Sequence, residues 1–146
     1  MRVTLNALLA MKPKGQKITA LTAYDFSAAR LIDAANIPVI LVGDSLGMVM
    51  HGHETTVPVT LDEMILHGSA VTRGNATSFI VVDLPFLTYT TIEDATHAAG
   101  RIMRETQAQA VKMEGGAHIA PIIRHLTQNG VPVMGHLGFT PQSQHQ

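Results

Sequence analysis

Short apolar runs rich in β-branched residues alternate along this chain with longer stretches in which apolar positions recur every three to four residues. Val39–Val42 runs into Gly43-Asp44-Ser45, residues 79–82 into Asp83, Ala110-Val111 into Lys112-Met113-Glu114, and residues 131–134 into Gly135-His136. Near-continuous apolar runs of this length are strands of a parallel sheet covered on both faces. An earlier run, 18–23, supplies a first strand. The helical stretches carry their own boundaries. Asp25 is an N-cap for 27–35, which Asn36-Ile37-Pro38 ends, and Thr60, with Glu63 at the capping-box position, opens a helix reaching Thr72 that Arg73-Gly74-Asn75 closes. Further helices are expected over 91–107 and 118–128, the latter stopped by Asn129-Gly130, and Thr4 caps a short one over 5–11. Residues 47–58 read as a long loop.

Strand and helix in strict alternation, with short connections, predict one parallel α/β domain over residues 1–146 with right-handed crossovers. A closed eight-stranded barrel and an open doubly wound sheet both stay open on this pattern. No G-x-G-x-x-G turn follows the first strand, which counts against a dinucleotide fold. In either architecture ligands bind at the carboxyl ends of the strands. Asp44, Asp83 and Glu114, with Lys112 and His136, would then meet at one rim although they are spread along the sequence.

Carboxylate oxygens without cysteine suit Mg²⁺, which takes one or two carboxylates and otherwise water and substrate oxygens; an α-keto acid offers two such oxygens. Lys112 stands two residues before Glu114, so both side chains point to one side of their strand, where a lysine needs an anionic neighbour. Ser45 has a hydroxyl and an N–H to offer a carboxylate, and His136 a donor for a substrate oxygen. His51-Gly52-His53 has a spacing known from metal sites but lies in the loop, where a glycine-rich lid is the simpler reading.

Composition removes whole classes of function. A formal charge of -1, with only Lys12, Lys14 and Lys17 clustered, does not make a nucleic-acid surface. The absence of cysteine excludes disulfides, thiolate metal sites and sulfur redox chemistry. No apolar run is long enough to span a bilayer, and the stretch 5–11 contains Asn6 and lacks a small-residue cleavage site, so the expectation is a soluble, cytoplasmic protein without membrane or nucleic-acid partners.

Five ordered motifs carry a family resemblance: Thr22-Ala23-Tyr24-Asp25, Leu41-Val42-Gly43-Asp44-Ser45-Leu46-Gly47, Asp83-Leu84-Pro85-Phe86, Val111-Lys112-Met113-Glu114-Gly115-Gly116 and Gly135-His136-Leu137-Gly138-Phe139-Thr140-Pro141-Gln142-Ser143. Together they closely resemble ketopantoate hydroxymethyltransferase. The resemblance implies a (β/α)₈ TIM-type barrel, here its first five βα units. It implies an enzyme that transfers a hydroxymethyl group from 5,10-methylenetetrahydrofolate to 3-methyl-2-oxobutanoate through a Mg²⁺-stabilised enolate, giving ketopantoate for pantothenate and coenzyme A. It also implies Mg²⁺ on Asp44, Asp83 and Glu114, keto acid held by Asp44, Ser45, Asp83 and Lys112 with His136 in support, and a homo-oligomer, commonly a decamer. The family's catalytic base, a glutamate on a later strand, is expected beyond Gln146, which would leave this chain the metal and keto-acid half of the site. Gln144 stands where the family usually has an apolar residue. Two other readings compete: a Mg²⁺-dependent enzyme of the phosphoenolpyruvate mutase and isocitrate lyase type, disfavoured by the missing cysteine, and an inactive truncated fragment.

Overall fold

The computed structural model describes residues 1–144. Five parallel strands form one sheet: β1 (Ala20–Thr22), β2 (Val39–Val42), β3 (Phe79–Asp83), β4 (Ala110–Glu114) and β5 (Val133–His136). Their order in space is their order in the chain. A doubly wound sheet reverses its order at a switch point, whereas consecutive pairing is how a (β/α)₈ barrel grows. The sheet is therefore five successive units of the barrel type.

Six α-helices accompany the strands: α1 (Leu5–Met11), α2 (Phe26–Ala34), α3 (Leu46–Val49), α4 (Leu61–Gly74), α5 (Ile92–Thr106) and α6 (Ala120–Gln128). The expected caps are in place. Asp25 accepts from the Ala28 N–H at 2.8 Å, Thr91 from Asp94, and Thr60 and Glu63 form a complete capping box.

Alternation along the strands divides the sheet into two faces. Ile40, Val42, Ile80, Val82, Val111 and Met113 belong to the main core with Ala29, Met64, Val71, Ala98 and Ile102 of the surrounding helices. Small residues bring these layers close. A Cβ on Gly74 would fall 2.5 Å from the Phe26 carbonyl oxygen, so only glycine permits that approach of α4 to α2. On the opposite face Val39, Phe79, Val81 and Ala110 form a smaller cluster with Leu8, placed there by α1. Hydrogen bonds hold this N-terminal arm, among them Val3 N–H to the Thr77 carbonyl at 2.7 Å and Arg2 Nη2 to the Asn75 carbonyl at 2.6 Å.

Several boundaries differ from those read in the sequence. β1 is limited to three exposed residues because it pairs only with β2, and residues 18 and 19 precede the ladder. β5 begins at Val133 rather than Val131, because Pro132 has no N–H and the Val131 N–H closes α6 by bonding the Leu126 carbonyl at 3.0 Å. α4 continues to Gly74, and a 3₁₀ turn, Ala117–Ile119, precedes α6. The region expected as a loop from residue 47 starts instead with α3, whose Gly47 packs so tightly on Val59 that a Cβ there would lie 2.4 Å from Cγ2. Among the described residues no helix is long and apolar enough to cross a membrane.

Candidate active site at the carboxyl ends of the strands

Strand register decides which side chains meet. Asp83 is the Cα partner of Lys112, and Glu114 of His136. Asp83, Lys112 and Glu114 share the parity of Phe79, Val81 and Ala110, so they continue the face that α1 covers at its other end. Lys112 Nζ reaches both Asp83 oxygens, at 2.7 and 2.8 Å. Lysine was expected to need an anion, with Glu114 as the neighbour on its own strand; the anion is Asp83, one strand over.

Asp44 joins this pair from the turn after β2. Its backbone N–H lies 3.3 Å from Asp83 Oδ2, and its carboxylate Oδ2 accepts from Gln142 Nε2 at 2.8 Å. Asp44, Asp83 and Glu114 are 5%, 2% and 5% exposed, which makes three buried carboxylates within one rim. Burial pushes the Asp83 carboxyl up, to about 7, with Lys112 opposing and the Asp44 charge adding to the rise. Burial likewise raises Asp44, against the Gln142 hydrogen bond and the charge of Lys112.

Glu114 is engaged differently. Its Oε1 accepts the Gln142 backbone N–H at 2.7 Å, and its Oε2 stands 3.5 Å from His136 Nδ1, which has no hydrogen-bond partner although it is buried. Ser45 Oγ pairs with the Tyr24 phenol at 2.9 Å. His51 and His53 lie apart from these carboxylates, at the end of α3 beside α4, where His51 faces His67 and Glu63.

Four further residues enter the rim. Gln142, in the 3₁₀ turn Pro141–Ser143, bridges Asp44, Glu114 and the Leu84 carbonyl, and its Oε1 accepts from the Tyr89 hydroxyl at 2.6 Å. Burial pushes the Tyr89 phenol far up, so it acts as a donor. Tyr24 follows β1 just as Asp44 follows β2, so the strand-end rule that selected Asp44 also reaches Tyr24. Gln142 lies within a quoted motif, but neither spacing nor charge marks it. Thr56 has no sequence signal; its buried hydroxyl faces the Asp44 carboxylate.

The donor set can be weighed against a divalent cation. Lys112 offsets Asp83, but Asp44 faces the same space with no lysine or arginine hydrogen-bonded to it. Excess buried negative charge fits a hard cation that keeps water and takes few protein ligands. Among the described residues no three histidine, aspartate or glutamate side chains are grouped to hold one ion. Gln142 engages one Glu114 oxygen, Oε1. Beside Glu114 a cavity of about 350 Å³ opens, lined by Phe86, Tyr89, His118, Ile122 and Gln142 among others.

Solved structures share this architecture. The crystal structure of 2,3-dimethylmalate lyase, a PEP mutase/isocitrate lyase superfamily member, is similar at a TM-score of 0.66 and 13% identity, over 92% of this chain and 53% of that one. Phosphonopyruvate hydrolase, solved in complex with oxalate and Mg²⁺, is similar at 0.62 and 15% identity over 75% and 38%. At these identities the likeness is one of fold. Sequence relatives are much nearer. The 3-methyl-2-oxobutanoate hydroxymethyltransferase of Gluconacetobacter diazotrophicus is 60% identical over 99% of this chain and 52% of its own length, and that of Chloroflexus aurantiacus is 56% identical over 100% and 52%. The chain thus spans about half the length of these curated relatives. The sequence model of one family, described as ketopantoate hydroxymethyltransferase, matches residues 2–146. With that match and these identities, the chain belongs to the ketopantoate hydroxymethyltransferase family.

Proposed function

We propose that this rim is the keto-acid half of a hydroxymethyltransferase site, taking 3-methyl-2-oxobutanoate as acceptor and 5,10-methylenetetrahydrofolate as one-carbon donor to form ketopantoate. The observation that carries the reading is the Lys112–Asp83 clamp with the buried Asp44 beside it, at the ends of adjacent strands in a chain of this family.

Each residue has a role that follows from its surroundings. Asp44 and Asp83 would hold Mg²⁺, with Glu114 at one remove through water. When bound, Mg²⁺ supplies Lewis-acid withdrawal of electron density from the keto-acid oxygens, an effect of several kcal/mol in related chemistry. Lys112, held by Asp83, keeps a positive charge where negative charge grows on the acceptor, in a setting shielded from water. Ser45, itself fixed by Tyr24, presents a hydroxyl to the substrate carboxylate. His136 Nδ1, buried and free of hydrogen bonds, donates to a substrate oxygen. Gln142 sets the positions of Asp44 and Glu114 together, because one residue bonds both. Among the described residues none is assigned as the base that removes the C3 proton of the acceptor.

Calorimetric titration of the 146-residue chain with 3-methyl-2-oxobutanoate tests this reading, with Mg²⁺ and with chelator. The expected result is keto-acid binding that requires Mg²⁺ and is lost in Asp83→Asn. Binding indifferent to chelator, or none with Mg²⁺ present in a folded chain, overturns it. Deuterium exchange at C3, followed by NMR, separates binding from chemistry: binding without exchange is expected of this chain alone.

A further inference from the structure

A second cluster lies outside the rim, where the end of α3 meets α4. His51 Nε2 and His67 Nε2 face each other at 3.1 Å. The opposite nitrogen of each ring points at an oxygen. His67 Nδ1 donates to the Tyr24 backbone carbonyl at 2.6 Å, and His51 Nδ1 lies 3.6 Å from Glu63 Oε1. A carbonyl oxygen can only accept, so the His67 proton is on Nδ1 and its Nε2 presents a lone pair toward His51. A proton on His51 Nε2 would satisfy that lone pair, and so would a cation bound by both Nε2 atoms with the His51 proton on Nδ1, the side of Glu63.

We propose that His51 and His67 form a binding site for a d-block divalent cation of the Zn²⁺ class, separate from the carboxylate rim. Zn–N bonds of about 2.0–2.1 Å at a tetrahedral angle put two ligand nitrogens about 3.3 Å apart, close to the separation found. Imidazole suits Zn²⁺ and its neighbours, whereas Mg²⁺ prefers oxygen. The pattern of Nε2 toward the ion and Nδ1–H toward a carbonyl or carboxylate is how ligating histidines are oriented. Glu63 is itself fixed, since its other oxygen Oε2 receives the Thr60 N–H and hydroxyl at 2.7 and 2.8 Å. Water fills the remaining coordination positions: among the described residues no third histidine, aspartate or glutamate joins the group, and the His53 ring centroid stands 5.7 Å from that of His51. The site is a two-ligand cross-link of modest affinity.

Its place in the fold gives it a consequence. His51 follows α3, which begins directly after Ser45, and His67 holds the carbonyl of Tyr24, whose phenol bonds Ser45 Oγ. A metal joining the two imidazoles ties the end of α3 to α4 and fixes both approaches to Ser45.

Competition for Zn²⁺ against a chromophoric indicator tests the site, using the whole 146-residue chain with Asp83→Asn as background so that the rim does not report. One Zn²⁺ per chain is expected, unaffected by excess Mg²⁺, lost in His51→Ala and in His67→Ala, retained in His125→Ala, and weakened about tenfold in Glu63→Gln by removal of the orienting carboxylate. His51 lies on an exposed segment, so His51→Ala keeps the test decisive if His67→Ala unfolds. A Zn²⁺-induced change in the Nε2 ¹⁵N shifts of His51 and His67 is expected alongside. Full Zn²⁺ binding in His51→Ala, or no stoichiometric binding with only a shared proton between the rings, overturns the proposal.

Discussion

The two faces of this sheet use the same three central strands for opposite ends. On the helix-covered face, Ile40, Val42, Ile80, Val82, Val111 and Met113 are all fully buried and wholly apolar. On the other face the apolar cluster around Leu8 stops partway, and the next positions along β3 and β4 are Asp83, Lys112 and Glu114. Apolar burial needs only volume and area, so the first face tolerates exchange among similar side chains. Buried charge needs a partner at hydrogen-bond distance, so the second face depends on register. A slip of one residue between β3 and β4 would send Lys112 into the helix layer and leave Asp83 alone.

The largest effect is expected where the charged face is broken on one side only. Lys112→Met removes the cation that holds a 2%-exposed aspartate and should cost about 3–5 kcal/mol in urea unfolding well above pH 7, where Asp83 is ionised, with Asp83→Asn in the same chain restoring most of it. A loss below about 1 kcal/mol would show that the clamp contributes little and that the rim is as tolerant as the core. On the apolar face, Ile80→Ala should cost about 2–5 kcal/mol with no dependence on pH, because only contacts and a cavity are involved.

A pH series sharpens the contrast. Asp83 in the folded chain titrates near 7, above the ordinary aspartate value of 3.8, so between those values the folded chain holds a proton that the unfolded chain has released. Stability therefore falls as pH rises through that window, by at most about 1.4 kcal/mol per pH unit for one group. Asp83→Asn should flatten the profile between pH 4 and 7, and an unchanged slope would remove Asp83 as its source. Raising the Mg²⁺ concentration should recover stability at the upper end of the window, because a cation that binds the ionised rim favours the folded chain.

Smaller effects probe the supports of each face. Gln142→Ala deletes a buried bond to the Asp44 carboxylate and one to Tyr89, and is expected to cost about 2 kcal/mol and to weaken Mg²⁺-dependent keto-acid binding. Thr60→Ala opens the capping box of α4 on the helix side, at about 1 kcal/mol, and should leave keto-acid binding unchanged. If both variants weaken that binding equally, the separation of the faces fails as a guide to function.

Most of the fold is legible in the sequence, because strand and helix periods and their caps are local. The apolar runs, Asp25, Thr60 with Glu63, and Thr91 mark elements found at nearly the expected places. The expectation of Asp44, Asp83, Lys112, Glu114 and His136 at one rim needed only the strand-end rule and the parallel order of strands. What local pattern misses is any choice among distant partners. Lys112 pairs with Asp83 and not Glu114 because β3 and β4 align those two residues. Glu114 is drawn off by Gln142, which arrives from the turn after β5.

His67 shows the same division. In the sequence it is one polar position on a helix, while His51 belongs to a glycine-containing stretch that reads as a lid; only the course of the segment after α3 alongside α4 puts their nitrogens 3.1 Å apart. Period and capping chemistry along the chain thus determined that this protein has alternating strands and helices and a charged strand-end rim, since those signals act within a few residues. Tertiary structure decided which charges neutralise one another, which carboxylates stay in excess and which histidines meet, because electrostatic pairing acts through space and is settled only when register and packing have placed the groups.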